Sequence, residues 1–351
     1  MRIALDAMGG DHAPERPVAG ALAALDRGER DLDIVLVGDE ARLMPLLPDS
    51  RSRPTLHHAS QTIGMDEAPA TALRRKRDSS IAVGVALQAN GGADAFVSAG
   101  NTGAVMTAAL TTLGRIEGIS RPAIVTPFPT AGEPCLVLDV GANAQCKPHH
   151  LAQFAVMGHI YAQQVLGRKD PRVGLLSIGE EPSKGDELRV ETHARLGAAG
   201  GLNFVGNVEG RDVLSGAADV VVTDGFTGNV LLKFGESFVD FLASEIGRRI
   251  RASRRASLGA WLMEPAFRAL RRRIDYAEYG GAPLLGVDGI VIICHGNSSV
   301  KAFESALGVA RRAVERNLAG RIERAMIEFG SITDGPPSAH DAQAPDPVEV
   351  S

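Results

Sequence analysis

The chain has 351 residues, 44% of them hydrophobic, which is enough to bury the core of one large α/β domain or two closely packed ones. A net charge of −5 argues against a general nucleic-acid-binding protein, and three cysteines without a CxxC spacing argue against a disulfide framework. The start of the chain reaches acidic residues before any long apolar stretch, and no apolar run approaches the ~18 residues that span a bilayer. We therefore expect a cytoplasmic protein.

Short β-branched segments alternate with Ala-rich amphipathic segments along most of the chain. This alternation implies helical crossovers and a mainly parallel sheet covered by helices on both faces. The exception is AIVTPFPTAGEPCLVLDV at residues 123–140, where a short Pro/Gly turn predicts a hairpin inserted in the sheet. The candidate strands, in chain order, are RIALDA, DIVLVG, PTLHHA, AFVSAG, AIVTPF, CLVLDVG, VGLLSIG, LNFVGN, DVVVTDG and GIVIICHG.

The chain shows no segment that is typical of a linker between domains. We predict a single α/β domain over residues 1–333 and a disordered tail over residues 334–351. The tail is rich in Pro and Ala and offers no apolar pattern that would pack.

Two segments of the chain are similar without a gap, ADAFVSAGNTGAVM at residues 93–106 and ADVVVTDGFTGNVL at residues 218–231. Each places glycine and threonine where a strand passes into a helix. A shared strand–turn–helix solution without a common ligand explains this quasi-repeat almost as well as a shared ligand does.

Six loops of related composition follow candidate strands. In open parallel sheets the carboxyl ends of strands face the ligand crevice, and helix N-termini there favour anions, phosphate above all. A simple turn or helix cap is the alternative for any one loop, but six together favour a shared anion-binding crevice. The loops are DAMGGDHAP, SAGNTG, DVGANAQC, SIGEEPSKG, TDGFTGN and CHGNSS.

The usual nucleotide and metal motifs do not occur in the sequence. No GxGxxG follows a first strand, no GxxxxGK[ST] is present, and nine histidines show no HExxH or Cys/His spacing. We therefore predict no redox cofactor and no metal.

The ordered set of motifs resembles the bacterial phosphate acyltransferases that act on acyl-carrier protein in phospholipid synthesis. The similarity runs from residue 3 to residue 303, and any one of its pieces alone would be weak. The pieces are ALDAMGGDHAP, MDEAPATALRRKRDSS, SAGNTGA, DVGANAQCKP, GEEPSKG, TDGFTGNVLLK and HGNSSVKAF.

The resemblance implies a three-layer, Rossmann-like fold similar to those of isocitrate dehydrogenases and phosphotransacetylases. It implies a cytoplasmic homodimer attached peripherally to the membrane. The implied reaction converts fatty acyl-carrier protein and inorganic phosphate into acyl phosphate and free carrier protein. A membrane acyltransferase would then use the acyl phosphate to acylate glycerol 3-phosphate.

The reaction needs a bound phosphate, an offset to charge repulsion and a donor for the thioester oxyanion. The resemblance assigns Lys184, in GEEPSKG, and Asn229, in DGFTGN, to the active site. Our hypothesis is that Lys184 binds phosphate or the oxyanion and that Asn229 donates from its side-chain amide. A solvated lysine and a helix-capping asparagine are the structural alternatives. The further residues expected to bind phosphate or substrate are Gly100, Asn101, Thr102, Gly103, Asn143, Thr227, Gly228, His295, Asn297 and Ser298.

Cys146, followed by His149 and His150, raises a rival mechanism in which a cysteine thiolate is acylated before phosphorolysis. A lone loop cysteine is more often structural, so we favour direct attack by phosphate.

Residues 248–274 carry nine arginines up to Arg273 and Glu264 as the single acid, and we predict that they form a projecting helical hairpin. Apolar stripes with a basic rim suit contact with a membrane or with acidic carrier protein. A core helix or a dimer contact is the alternative. The expected contact residues are Leu258, Trp261, Leu262, Phe267, Arg271 and Arg272.

Two other functions remain open from the sequence. One is a different enzyme on a similar fold, either a short-chain phosphotransacetylase using coenzyme A or a dehydrogenase. The other is a non-catalytic adaptor for carrier protein or membrane.

Overall fold

A computed structural model describes residues 1–27, 31–49, 53–274 and 280–333, with the side chains of residues 271 and 272 excepted. The predicted tail at residues 334–351 lies outside the described residues. One sheet of eleven strands runs through the molecule, in the order β3-β2-β1-β4-β11-β10-β5-β6-β9-β7-β8. The strands are β1 (Arg2–Asp6), β2 (Asp33–Gly38), β3 (Thr55–His58), β4 (Ala95–Ser98), β5 (Ala123–Phe128), β6 (Cys135–Leu138), β7 (Val173–Leu176), β8 (Phe204–Val208), β9 (Val220–Val222), β10 (Ala282–Leu285) and β11 (Val291–Ile293).

Helices connect most of these strands, and Met44–Leu46 adds one 3₁₀ turn. The helices are α1 (Glu15–Asp26), α2 (Glu40–Leu43), α3 (Pro69–Arg75), α4 (Ser80–Ala89), α5 (Thr102–Thr112), α6 (Pro148–Gln164), α7 (Glu187–Gly197), α8 (Gly210–Ser215), α9 (Gly225–Arg251), α10 (Arg254–Leu262), α11 (Glu264–Ile274), α12 (Val300–Glu315), α13 (Leu318–Glu328) and α14 (Gly330–Thr333).

The sheet has helices packed on both faces, as the sequence predicted. Alternate residues of β4 point to opposite faces, as the period of two in a strand requires. Ala95 and Val97 join one apolar core with Phe154 of α6 and Phe303 of α12. Phe96 joins a second core on the other face, with residues of α4 and α5. The three-layer α/β class is confirmed.

Strand direction reverses in the middle of the sheet. The predicted hairpin is present as antiparallel β5 and β6, and β10 is antiparallel to both β11 and β5. The strands β3, β2, β1, β4, β11 and β5 therefore run one way, and β10, β6, β9, β7 and β8 run the other.

This reversal divides the six polar loops between two edges of the sheet. The loops after β1, β4 and β11 leave at one edge, which we call the first edge. The loops after β6, β7 and β9 leave at the opposite edge, the second edge. The expectation of one crevice formed by six strand ends is therefore wrong for the single chain, because it assumed one direction for all six strands.

The two halves of the sheet repeat each other around its centre, between β10 and β5. The strand order β2-β1-β4-β11-β10 on one side corresponds to β8-β7-β9-β6-β5 on the other. The register agrees as well. β1 and β4 pair with Ile3 opposite Ala95, and β7 and β9 pair with Val173 opposite Val220.

Equivalent aspartates lie just before the second strand of each pair. Asp94 Oδ2 accepts from Arg2 N at 2.6 Å, and Asp219 Oδ2 accepts from Arg172 N at 2.9 Å. The quasi-repeat in the sequence thus belongs to an internal two-fold arrangement of the fold.

The helices α9, α10 and α11 are largely exposed in the chain. Of the 27 residues of α9, Gly225 and Gly228 are buried, and α10 has no buried residue. The segment predicted as a hairpin, residues 248–274, comprises the last turn of α9 followed by α10 and α11. In α11 the helix begins at Glu264, so Pro265 occupies the first turn, where proline is tolerated. Within the described part of the chain, no helix has the length and apolar character needed to cross a membrane.

Candidate active site at the second edge

Lys184 lies in the loop between β7 and α7, and the backbone around it is firmly held. Ser177 Oγ donates to Lys184 O at 3.0 Å, and Lys184 N donates to Glu181 O at 3.0 Å. Gly185 follows with a φ of +108°, and a Cβ there would lie 2.7 Å from Arg189 Cβ. The turn that presents Lys184 therefore requires glycine at position 185.

Asn229 lies in the first turns of α9, directly after the neighbouring strand β9. Its side chain packs beside Gly141 of the β6–α6 loop, with atoms 3.7 Å from the position of a Cβ on that glycine. β9 lies between β6 and β7 and is parallel to both, so the loops of Lys184, Asn229 and Gly141 leave the sheet at one edge. The predicted catalytic pair is thus on adjacent loops.

The buried carboxylate of Asp139 organises the loop after β6. Its two oxygens accept hydrogen bonds at 2.7–3.2 Å from the N–H groups of Ile124, Gly141, Ala142 and Asn143 and from Asn143 Nδ2. Burial raises the pKa of Asp139, and these donors oppose that rise by stabilising the charged form.

The start of α9 packs directly on this loop. A Cβ on Gly228 would lie 1.8 Å from Asp139 O, and a Cβ on Gly225 would lie 2.6 Å from Asp139 Oδ2. The absence of side chains at both glycines lets the helix approach the loop this closely. The contacts with Asp139 therefore fix the position of the first turn of α9 relative to the β6–α6 loop, and with it the position of Asn229.

Asp224 is the N-cap of α9 and accepts hydrogen bonds from backbone N–H groups in the first turn of that helix. Its Oδ1 accepts from Thr227 N at 2.9 Å and its Oδ2 from Thr227 Oγ1 at 2.8 Å. Gly228 N donates to Asp224 O, and Gly225 N donates to Asn143 O. Burial opposes ionisation of Asp224, but the bonds from Thr227 and the charge of Arg189 prevail and lower its pKa.

The polar side chains at the second edge therefore differ in whether they are free to bind a ligand. Asn143 Nδ2 is engaged by Pro122 O and Asp139, and the Thr227 hydroxyl by Asp224. Within the described ranges, the Lys184 ammonium and the Asn229 amide make no hydrogen bond or ion pair, and Lys184 is exposed. Among the predicted residues at this edge, these two have side chains free to meet a ligand.

The remaining residues predicted to bind phosphate or substrate lie at the first edge, where the Asn101 side chain is engaged by the fold and Asn297 is exposed. Asn101 Nδ2 donates to three carbonyls, those of Gly64, Met65 and Glu67, and its Oδ1 caps α5. Asn297 Oδ1 accepts from Arg16 at 3.1 Å. The other predicted residues at this edge are Gly100, Thr102, Gly103, His295 and Ser298.

Cys146 lies in the loop after β6 but is poorly placed to act as a nucleophile. Burial raises the pKa of its thiol to about 12, and the carboxylates of Asp139 and Asp224 add to the rise. Its Sγ lies 3.8 Å from Asn143 O. A thiol that is protonated at neutral pH does not supply the thiolate that the covalent mechanism needs.

The four apolar residues predicted as contacts on α10 and α11 are exposed in the chain. Trp261 and Leu262 are 71% and 67% exposed, and Leu258 and Phe267 are also exposed. These helices therefore do not belong to the core of the single chain. The side chains of Arg271 and Arg272 lie outside the described residues.

Sequence reasoning missed three residues that shape this site, Asp139, Arg189 and Asp224. DVGAN and TDG contain the two aspartates, but a loop aspartate alone carries no signal of burial. Arg189 lies inside an ordinary helical pattern, so no sequence signal identifies it.

Solved structures of phosphotransacetylases share this architecture over nearly the whole chain. A phosphotransacetylase from Staphylococcus aureus has a TM-score of 0.56 at 17% identity, covering 90% of this chain and 94% of its own. A branched-chain phosphotransacylase from Enterococcus faecalis also has a TM-score of 0.56, at 18% identity, covering 90% and 99%. The fold is thus that of the phosphotransacetylases, an α/β class with polar loops at strand ends.

The chain belongs to the family described as "Fatty acid synthesis protein", which matches residues 1–321. Curated relatives cover nearly all of it. A protein named phosphate acyltransferase from Heliobacterium modesticaldum is 54% identical over 327 residues, which is 92% of this chain and 97% of that protein. One of the same name from Moorella thermoacetica is 52% identical over 321 residues, 91% and 94%. The family resemblance predicted from the motifs is confirmed.

Proposed function

We propose that this protein is a phosphate acyltransferase, which transfers a long-chain fatty acyl group from acyl-carrier protein to inorganic phosphate. The product, acyl phosphate, serves phospholipid synthesis. Membership of the family supports the reaction class. The placement of Lys184 and Asn229, both unpartnered within the described residues, on adjacent loops of the second edge supports the site.

In this reaction a phosphate oxygen attacks the thioester carbonyl carbon, and the carrier thiolate leaves as the tetrahedral intermediate collapses. The ammonium of Lys184 holds phosphate as a point charge and offsets its repulsion from the developing oxyanion. The amide of Asn229 donates to that oxyanion. Asp224 and Asn143 already accept from three of the first N–H groups of α9, so these groups are not free to bind phosphate.

The test is formation of acyl phosphate from long-chain acyl-carrier protein, with and without phosphate. We expect Lys184→Ala and Asn229→Ala each to lower kcat by ~10²–10³, the usual loss for one oxyanion donor. Lys233→Ala is the matched control, because Lys233 is exposed on α9 and pairs with Glu236. Near-normal turnover by folded Lys184→Ala and Asn229→Ala proteins would remove the assignment.

The same assay distinguishes two of the alternative functions, the short-chain phosphotransacetylase and the non-catalytic adaptor. A short-chain phosphotransacetylase would release coenzyme A from a short acyl thioester and leave long-chain acyl-carrier protein unchanged. A non-catalytic adaptor would bind carrier protein without releasing free carrier when phosphate is added.

For the exposed helices α10 and α11 we propose reversible attachment to an anionic membrane surface through the apolar side chains and arginines of residues 248–274. Acidic carrier protein is a second ligand of these arginines. Buried apolar side chains contribute ~1.5–3 kcal/mol each and arginines ~1 kcal/mol each near an anionic surface. Leu258, Trp261 and Leu262 are such apolar side chains, and all three are exposed in the chain. Acyl phosphate made there is close to the membrane acyltransferase that would use it.

Flotation with vesicles containing anionic lipid tests this attachment. Trp261→Glu together with Leu262→Glu should abolish binding. Ile327→Glu should leave binding unchanged, because Ile327 is 80% exposed but lies on α13. Equal binding by the hairpin variant and the wild type would exclude the membrane role.

We also propose that α9 forms a homodimer contact. Its apolar side chains recur at helical spacing along one face and are exposed in the chain, with Phe234 stacked on Phe238. A continuous exposed apolar face is typical of an interaction surface. Phe234→Glu together with Phe238→Glu should give a monomer in sedimentation velocity, and an unchanged dimer would place the contact elsewhere. The face comprises Phe226, Val230, Phe234, Phe238, Phe241 and Leu242.

A further inference from the structure

One arginine connects the two helix N-caps that flank the proposed site. Arg189 Nη1 bonds Asp186 Oδ2 at 2.9 Å, and Nη2 bonds Asp224 Oδ2. Nη2 also lies 3.2 Å from Thr227 Oγ1. Asp186 caps α7 and Asp224 caps α9, each accepting from a backbone N–H in its helix.

The two capped turns carry the proposed catalytic residues. Lys184 precedes Asp186 by two residues, and Asn229 follows Thr227 by two residues. Arg189 also packs against the Gly185 turn, with its Cβ 2.7 Å from where a Cβ on that glycine would be. Arg189 therefore contacts both turns within two residues of Lys184 and Asn229, with its guanidinium on Asp186 and Thr227 and its Cβ on Gly185.

The charge of Arg189 is already satisfied by the protein. Two carboxylates and the hydroxyl of Thr227 surround its guanidinium, and its side chain is 12% exposed. A cation in that state has little left to offer a phosphate dianion, whereas the exposed ammonium of Lys184 has no partner within the described residues.

We propose that Arg189 is a positioning residue that sets the separation of Lys184 from Asn229 by bridging Asp186 and Asp224. The inference rests on the proposed function of that pair. It explains why the bridge is an arginine. A planar fork can bond two carboxylates at once, whereas a lysine ammonium acts as a single point charge.

The first test is Arg189→Lys, which keeps the positive charge but removes the planar guanidinium that bonds two carboxylates at once. We expect kcat to fall by ~10–10², because misplacement of about 1 Å costs up to ~10² in rate. The KM for phosphate should rise by no more than it does in Lys184→Ala, because Arg189 affects phosphate only through Lys184. Asp186→Asn, which keeps a helix cap and removes one carboxylate, should show the same pattern.

The decisive measurement is a double-variant cycle with Lys184→Ala. If Arg189 acts by placing Lys184, then Arg189→Lys should lower turnover by less than about threefold once Lys184 is alanine. Arg195→Lys is the matched control on α7, where Arg195 Nη1 donates to Ile332 O. Urea unfolding of each variant confirms that the proteins compared are folded.

Two results would overturn the inference. A tenfold rise in the phosphate KM with unchanged kcat would make Arg189 a direct phosphate ligand. The same loss from Arg189→Lys with and without Lys184 would show that it acts independently of that residue. Failure of the proposed function looks different, because Lys184→Ala alone would then be fully active.

Discussion

Replacing Gly228 by alanine tests whether the approach of α9 to the Asp139 loop sets the site. The added Cβ would lie 1.8 Å from Asp139 O, 2.9 Å from Asp139 C and 3.1 Å from Thr223 Cγ2. Two of these atoms are backbone, so no side-chain rotation relieves the contact. The first turn of α9 must instead withdraw by more than ~1 Å.

This displacement has separate consequences for stability and for rate. Overpacking costs ~1–3 kcal/mol, and the better helix propensity of alanine returns ~0.5–1 kcal/mol, so we expect a net loss of about 1–2 kcal/mol. Asn229 is the next residue, and its misplacement by about 1 Å should lower kcat by ~10². Urea unfolding gives the first quantity, and phosphate-dependent acyl phosphate formation gives the second.

Gly235→Ala is the control for a glycine-to-alanine change in the same helix. Its Cβ would lie 3.8 Å from Phe128 Cε1, which is an ordinary contact, so activity should be retained and stability should rise slightly. A Gly228→Ala protein with normal kcat and an unchanged urea midpoint would refute the reasoning. It would mean that Asn229 does not depend on this contact.

Three further predictions concern acids and a thiol near the site. Asp139→Asn should lower the free energy of unfolding by at least ~2 kcal/mol in urea titration. The NH₂ group of the new side chain would face N–H groups that donate to the carboxylate in the wild type, so these donors would lose their acceptor. Equal stability would contradict this. The pKa of Asp224 is lowered on folding, so its ionised form stabilises the protein above the unfolded pKa of ~3.9 and this contribution is lost on acidification. The stability difference between wild type and Asp224→Asn should therefore be constant near neutral pH and shrink below pH ~4, and a constant difference down to pH 3 would refute it. Cys146→Ser should keep kcat within about threefold, because the thiol pKa of about 12 leaves almost no thiolate at pH 7. An acyl-Cys146 adduct trapped during turnover would argue the opposite.

Much of the secondary structure was predictable from the sequence. All ten candidate strand segments overlap an observed strand, and the hairpin of β5 and β6 was expected from its Pro/Gly turn. The missed strand is β10, whose four residues, APLL, include a proline that weakens any strand pattern. It pairs because β11 and β5 lie on either side of it, which is a tertiary effect.

The quasi-repeat shows how two similar sequences form different helix N-caps. Gly100 aligns with Gly225, but α5 is capped by Asn101 and begins after it, whereas α9 is capped by Asp224 and begins at the glycine. The position equivalent to Asp224 is Ala99, which has no side-chain oxygen to cap a helix. One side chain thus decides that α9 begins close enough to contact Asp139.

The sequence by itself determined the α/β class, most strands, the polar loops and the family. These features follow from local apolar period, turn residues and ordered motifs, which need no knowledge of distant contacts. Only the tertiary structure decided which loops share an edge, because strand direction is set by pairing partners far apart in the chain. The antiparallel β10, β5 and β6 place Lys184 and Asn229 at the second edge together, and place Asn101 and Asn297 at the first.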